Sequence, residues 1–244
     1  MTGAALLSPV NKRFIKACVG TALVVPLLVG LPHILSPYWQ SVGVLFAINV
    51  TLVLGYRLIT TMGGWSFAHV STMGLGAYTM AILTTLENPW PFWVTFFLGP
   101  IVAGVFALLI AYPVLRTRHY YFFLSTFAAG EALRQCYVQF SSITGGTYGI
   151  AFLPRPESIL GIDFKTTTGF YYLALALAVC TGLALYRFEL SRYGATIKAV
   201  AANEELSDSI GINTWAYRTL PFVLGSVVAG FAGTLYGNFN GIIG

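Results

Sequence analysis

The chain has 244 residues, of which 57% are hydrophobic and 9% charged, with a formal net charge of +5 and a mean hydropathy of +0.76. Soluble domains carry roughly 25% charged residues, so composition excludes an ordinary water-soluble globule. Cys18, Cys136 and Cys180 are odd in number, form no C-x-x-C and lie in apolar runs. That pattern argues against a disulfide framework and against a zinc site.

Seven runs approach the ~20 apolar residues that span a bilayer core as a helix, at about 15–35, 41–60, 65–85, 91–114, 120–141, 169–186 and 219–240. Strict period-2 alternation is absent, which leaves helices rather than a membrane barrel. The sequence therefore predicts an all-α polytopic transmembrane helix bundle, with residues 1–244 as a single membrane domain. The first run follows Lys12, Arg13 and Lys16 and contains Pro26 and Pro32. It is long and lacks a small-x-small cleavage site, so a retained helix is expected rather than a signal peptide.

The third run contains Gly63, Gly64, Gly74 and Gly76 together with Ser66, His69, Ser71 and Thr72. Ala68, Thr72 and Gly76 recur at i, i+4 and i+8, a small-residue stripe that lets helix backbones approach closely in lipid. Two readings stand for Ser66, His69, Thr72, Gly74 and Gly76: a tightly packed interior helix, or a broken, pathway-lining one. The short connection 86–90 makes the third and fourth runs antiparallel neighbours. The fifth run carries Glu131 and Arg134, whose i, i+3 spacing places them on one helix face. Ionisable residues inside a span are costly, so the pair is either a self-satisfying salt bridge or part of a translocation route. The segment 143–168 is rich in Gly, Thr and Pro and is expected to be irregular. The seventh run repeats close-approach spacing in Ser226, Gly230, Gly233 and Gly237.

Alternating the seven runs puts Lys12, Arg13, Lys16, Arg57, Arg116, Arg118, Arg187, Arg192, Lys198 and Arg218 on one side of the membrane, and only Arg155 and Lys165 on the other. This bias predicts a cytoplasmic N-terminus. Because the positive charge follows topology, it implies a bilayer and not nucleic acid. No G-x-x-x-x-G-K-[ST], H-E-x-x-H or G-x-S-x-G occurs, so no catalytic residue, cofactor or metal site is expected in this chain. Of the three histidines, His33 and His119 lie near span ends and His69 within a span.

Charge concentrates in 187–218, which holds Arg187, Glu189, Arg192, Lys198, Glu204, Glu205, Asp208 and Arg218, against 13 basic and 8 acidic residues in the whole chain. Residues 194–202 read as a short helix with Ile197, Val200 and Ala201 on one side. Asn203 is placed to cap a second helix with Glu204 and Glu205 in its first turn, and Gly211 to end it.

Two stretches resemble the bacterial ABC-importer permeases for branched-chain amino acids and related small polar solutes. Gly63, Ser66 and His69 followed by Gly74, Gly76, Ala77 and Tyr78 are similar to that family's G-x-x-S-x-x-H and G-x-G-A-Y. Gly194, Ala199, Asn203 and Glu204, then Gly211, Ile212 and Asn213, are similar to its cytoplasmic loop. Thr144, Gly145 and Gly146 resemble its outward T-G-G. Ala201 and Ala202 stand where such loops usually carry a basic residue.

The resemblance implies a type II-like importer membrane domain in the bacterial inner (plasma) membrane, working with a second, related permease subunit. It implies two ABC ATPase subunits that bind ATP and Mg, and a periplasmic substrate-binding protein. It makes 187–218 the coupling loop, with Gly194, Ala195, Lys198, Ala199, Asn203, Glu204, Glu205 and Gly211 meeting the ATPase. It places Thr144, Gly145 and Gly146 at the binding-protein dock. Relatives continue with further helices, so the chain is expected to be C-terminally truncated. A few-charge path suits leucine-like zwitterions, urea, short amides or aromatic acids alike. A stand-alone channel or secondary transporter is the alternative, and a non-transport scaffold a third class.

Overall fold

The computed structural model describes residues 28–34, 36–86, 88–117, 120–156 and 163–244, besides Gly20 and Pro26. The first expected run, 15–35, lies largely outside the described residues, as does His119. The principal helices are α1 (Pro37–Thr60), α2 (Ala68–Thr84), α3 (Phe92–Leu115) and α4 (Tyr120–Gln139), followed by the single turn α5 (Ser141–Thr144). Then come α6 (Thr167–Glu189), α7 (Arg192–Ala202), α8 (Glu204–Ser209) and α9 (Thr214–Asn240). Two short strands, β1 (Ile150–Ala151) and β2 (Ile242–Ile243), pair antiparallel in the register Ile150–Ile243 and Ala151–Ile242.

Among the described residues, four helices are long and apolar enough to cross a membrane: α1, α3, α6 and α9. The expected third span begins as a non-helical segment after Gly63, whose φ of +83° favours glycine. The helix that follows, α2, has 17 residues, or about 26 Å at 1.5 Å per residue. The expected fifth span, α4, has 20 residues, which is sufficient length, but it is not among the sufficiently apolar helices. The expected seventh span starts earlier than its apolar run, because Asn213 caps α9 by accepting from the Ala216 amide at 3.1 Å.

α9 is the central helix: 61% of its most apolar window is buried, against 33–44% in α1, α3 and α6. It packs on α1, α2 and α3, while α6 packs on α1 and α4 on α2. Small residues make this possible. A Cβ on Gly230 would lie 2.6 Å from Pro100 Cα, and one on Gly76 would lie 2.6 Å from Gly230 Cα. Thr72 and Gly76 are buried along α2, as are Ser226, Gly233 and Gly237 along α9, and Gly76 faces Gly230 while Gly233 and Gly237 face Met73 and Met80, so the glycines of both stripes lie where α2 and α9 pack.

α4 is peripheral. Only Phe122, Thr126, Gly130 and Leu133 are buried along it, one stripe at i, i+4 and i+3 spacing. The stripe is held to α2 by polar contacts. Thr126 Oγ1 accepts from the Phe67 amide at 3.2 Å, the Ser71 hydroxyl donates to Gly130 O at 3.1 Å, and the Tyr137 hydroxyl donates to Ser71 O at 3.1 Å.

Candidate functional site

The polar segment 187–218 folds as an arm across one end of the bundle. Ser191 Oγ accepts from the Gly194 amide at 3.4 Å and so caps α7. Gly194, Ile197 and Val200 are its buried positions, at i, i+3 and i+6. Ala201, expected on that side, is exposed and lies over Gly63 instead. Ile197 enters an apolar cluster with Ile59, Met62, Leu115, Phe122 and Phe222. The arm is therefore seated on the ends of α1, α3, α4 and α9. No side chain fits at Gly194, because a Cβ there would meet the Glu189 backbone at 2.7 Å.

Asn203 Oδ1 accepts from the Leu206 amide at 2.9 Å and caps α8, with Glu204 and Glu205 in the first turn. Gly211, at φ +84°, follows α8 in the turn that leads to α9. Ion pairs fix the arm from both sides. Glu189 holds Arg57 of α1 at 2.9 Å and faces Lys198 of α7 at 3.9 Å. Arg218 pairs with Glu204 at 3.3 Å and donates to Thr117 O at 3.1 Å. A cleft of about 260 Å³ opens between the arm and the α1–α2 turn, lined by Met62, Gly63, Asn203, Glu204, Glu205 and Arg218 among others. Ala195, Lys198, Ala199 and Glu205 are exposed, as are Leu206 and Ile210. Charged, small and apolar side chains alternate on this exposed surface.

Ser66 and His69 lie elsewhere, in a second pocket of about 250 Å³ between α1 and α2, lined also by Leu52, Val53, Tyr56, Phe67 and Val70. His69 Nε2 is 3.0 Å from Leu52 O. A carbonyl only accepts, so this nitrogen donates. His69 Nδ1 and Ser66 Oγ are buried without a hydrogen-bond partner among the described residues. Thr72 donates to His69 O at 2.8 Å. Gly74 faces Tyr137, which stacks on Tyr78 at 4.5 Å.

Glu131 and Arg134 pair with each other on the uncovered face of α4, with the guanidinium Nε at 2.9 and 3.0 Å from the two carboxylate oxygens. They meet neither the Ser66–His69 pocket nor the α2–α9 seam. Ser66 and His69, Thr72 and Gly76, Gly74, and the Glu131–Arg134 pair thus occupy separate places.

Thr144, Gly145 and Gly146 form a tight turn at the end of the bundle that carries β1 and β2. Thr144 Oγ1 donates to Phe140 O at 2.9 Å, Gly145 and Gly146 have φ of +75° and +58°, and Thr144 and Gly146 are buried. Tyr148 and Phe152, which follow the turn, are the most exposed large side chains in this region, at 91% and 95%. Phe152 has a φ of +62°, an uncommon conformation for a bulky residue. The glycine cluster marks the turn in the sequence, but nothing there signals the aromatic pair.

Apolar membrane-length helices around a close-packed central helix, with a capped charged arm at one end, define a multi-pass membrane protein. Residues 39–243 match the family described as the permease component of the branched-chain amino acid transport system, and the chain belongs to that family. It is 24% identical to the high-affinity branched-chain amino acid transport system permease protein LivM of Escherichia coli (strain K12), over 98% of this chain and 61% of that protein. The LivM of Salmonella typhimurium is 24% identical over 96% of this chain and 59% of its own length. The nucleoside ABC transporter permease protein NupC of Lactococcus lactis subsp. cremoris is 26% identical over 83% and 65%. The chain thus spans about three-fifths of the length of the LivM proteins it matches. No solved structure matches it.

Proposed function

We propose that this chain is a membrane-spanning permease subunit of an ATP-binding-cassette importer, and that it moves a small amino-acid-like solute inward through the bacterial inner membrane. ATP and Mg act on separate ATPase subunits. The arm carries this reading. A connector needs no capped helices, no apolar seat and no paired ion bridges to the bundle, whereas a coupling element must be rigid enough to pass on a push. Gly194, Ala195, Lys198, Ala199, Asn203, Glu204, Glu205 and Gly211 belong to the arm that meets the ATPase, and the cleft beside Gly63 receives part of it. The energy comes from the differential affinity of ATP for two states of the ATPases, which the arm transmits.

The fold is read as a type II-like importer domain with the N-terminus and arm in the cytoplasm, and α2 and α4 as further crossings shielded from lipid by protein. A second, related permease subunit stands opposite the uncovered face of α4, and the two subunits form the path between them. A periplasmic binding protein docks at the opposite end, on Tyr148 and Phe152 held out by the Thr144–Gly146 turn. Ser66 and His69 line a candidate pocket on the route. Thr72, Gly74 and Gly76 shape the route by packing.

A photo-crosslinking residue at Ala199 tests the arm in the assembled transporter. A nucleotide-dependent crosslink to an ATP-hydrolysing polypeptide is expected. An arm that crosslinks to no other chain, together with gradient-driven transport by this chain alone in liposomes, refutes the importer and favours a stand-alone carrier.

A further inference from the structure

The ion pair on α4 differs in kind from the others described. Arg57–Glu189, Lys198–Glu189 and Arg218–Glu204 each tie two separate elements together, and Glu189 and Glu204 are largely covered. Glu131 and Arg134 are one turn apart on the same helix and join nothing. Their side chains remain 49% and 60% exposed. In a 20-residue helix of about 30 Å, Glu131 lies just past the middle and Arg134 one turn nearer the end that leads to the Thr144–Gly146 turn. Acyl chains are a poor environment for either charge. The exposed face also continues toward that end through Gln135 and Gln139, whereas its other half presents Tyr120, Tyr121, Leu124 and Phe127. With α4 read as a crossing, as proposed above, a polar strip running from the helix end to the ion pair fits the wall of a wet passage.

Resting on the permease reading above, we infer that Glu131 and Arg134 recognise the two head charges of a zwitterionic amino acid as it passes. The pair occupies one edge of each group. An arginine has five N–H donors and a carboxylate about four acceptor positions, so each keeps free capacity on its outer side. A solute carboxylate can take the remaining guanidinium edge while its ammonium takes the outer lone pairs of Glu131. The result is a ring of four alternating charges with zero net charge, made of charge-assisted hydrogen bonds. Urea and simple amides supply neither charge and would gain little from it. An α-amino acid of any side chain supplies both.

The test is binding of radiolabelled L-leucine to the permease–ATPase assembly in nanodiscs. Its competitors are 3-methylbutylamine, which lacks the carboxylate, and 4-methylpentanoate, which lacks the ammonium group. L-Leucine is expected to outcompete each by roughly tenfold or more, as the loss of a charge-assisted contact implies. Arg134→Gln should close the gap between L-leucine and the amine while leaving the gap to the acid; Glu131→Gln should do the reverse. Weakening of all three ligands in the same ratio shows a purely structural pair and overturns the inference. If a single variant fails to insert, the double variant Glu131→Gln with Arg134→Gln leaves no lone charge, and it should close both gaps; unchanged gaps overturn the inference. Failure of L-leucine to bind an assembly that imports an uncharged solute such as urea with ATP sinks the zwitterion assignment and leaves the permease standing. ATP-driven uptake of no solute at all sinks the permease reading itself.

Discussion

The seat of the arm makes a quantitative prediction at Ile197. Its side chain is 1% exposed and belongs to the apolar cluster with Ile59, Met62, Leu115, Phe122 and Phe222, on the covered side of α7. Ile197→Ala deletes three buried carbons, worth about 2.4 kcal/mol at ~0.8 kcal/mol each, before any cavity term is added. That loss weakens the arm's attachment and not the bundle, so local opening of α7 should rise roughly 50-fold at 1.4 kcal/mol per decade. Hydrogen–deuterium exchange in nanodiscs reads it directly, as faster exchange across 196–202 with α9 unchanged. In the assembled transporter, ATP hydrolysis should persist while solute moved per ATP falls, because a loosened lever still docks but no longer pushes. Lys198→Ala is the matched control. Its partner Glu189 is 3.9 Å away and the lysine is half exposed, so it should shift opening by no more than the ~0–1 kcal/mol of a surface pair. If exchange in Ile197→Ala changes by less than about threefold, apolar burial does not hold the arm and the lever argument fails.

Two further perturbations follow from the same geometry. Gly230→Leu forces a side chain into the gap between α9 and Pro100, where even a Cβ would sit 2.6 Å from Cα; the purified chain should lose its thermal transition in detergent, while Gly241→Leu, with open space around it but a φ of +70°, should lose far less. Asn203→Ala removes the acceptor for the Leu206 amide and should cost about 1 kcal/mol of α8 stability, seen as faster exchange confined to 204–209.

Much was legible from residue order alone. The apolar runs mark α1, α3, α6 and α9 because a bilayer-spanning helix needs a long uncharged stretch, a property of consecutive residues. The cap at Asn203 was legible for a similar local reason: it satisfies an amide three residues away, whereas the caps at Ser191 and Asn213 were not expected. The small-residue stripes on α2 and α9 were visible too, but not which partners they met.

What only the tertiary structure decided is everything that depends on which face of a helix is covered. It put α9 at the centre, parted Ser66 and His69 from Glu131 and Arg134, and turned Ala201 outward while drawing Gly194 in against Glu189. It buried Thr144 and Gly146 and left Tyr148 and Phe152 standing clear. Spacing along a helix says which side chains share a face. Whether that face meets a neighbouring helix or open space depends on contacts between residues far apart in the chain, and those exist only once the bundle has packed.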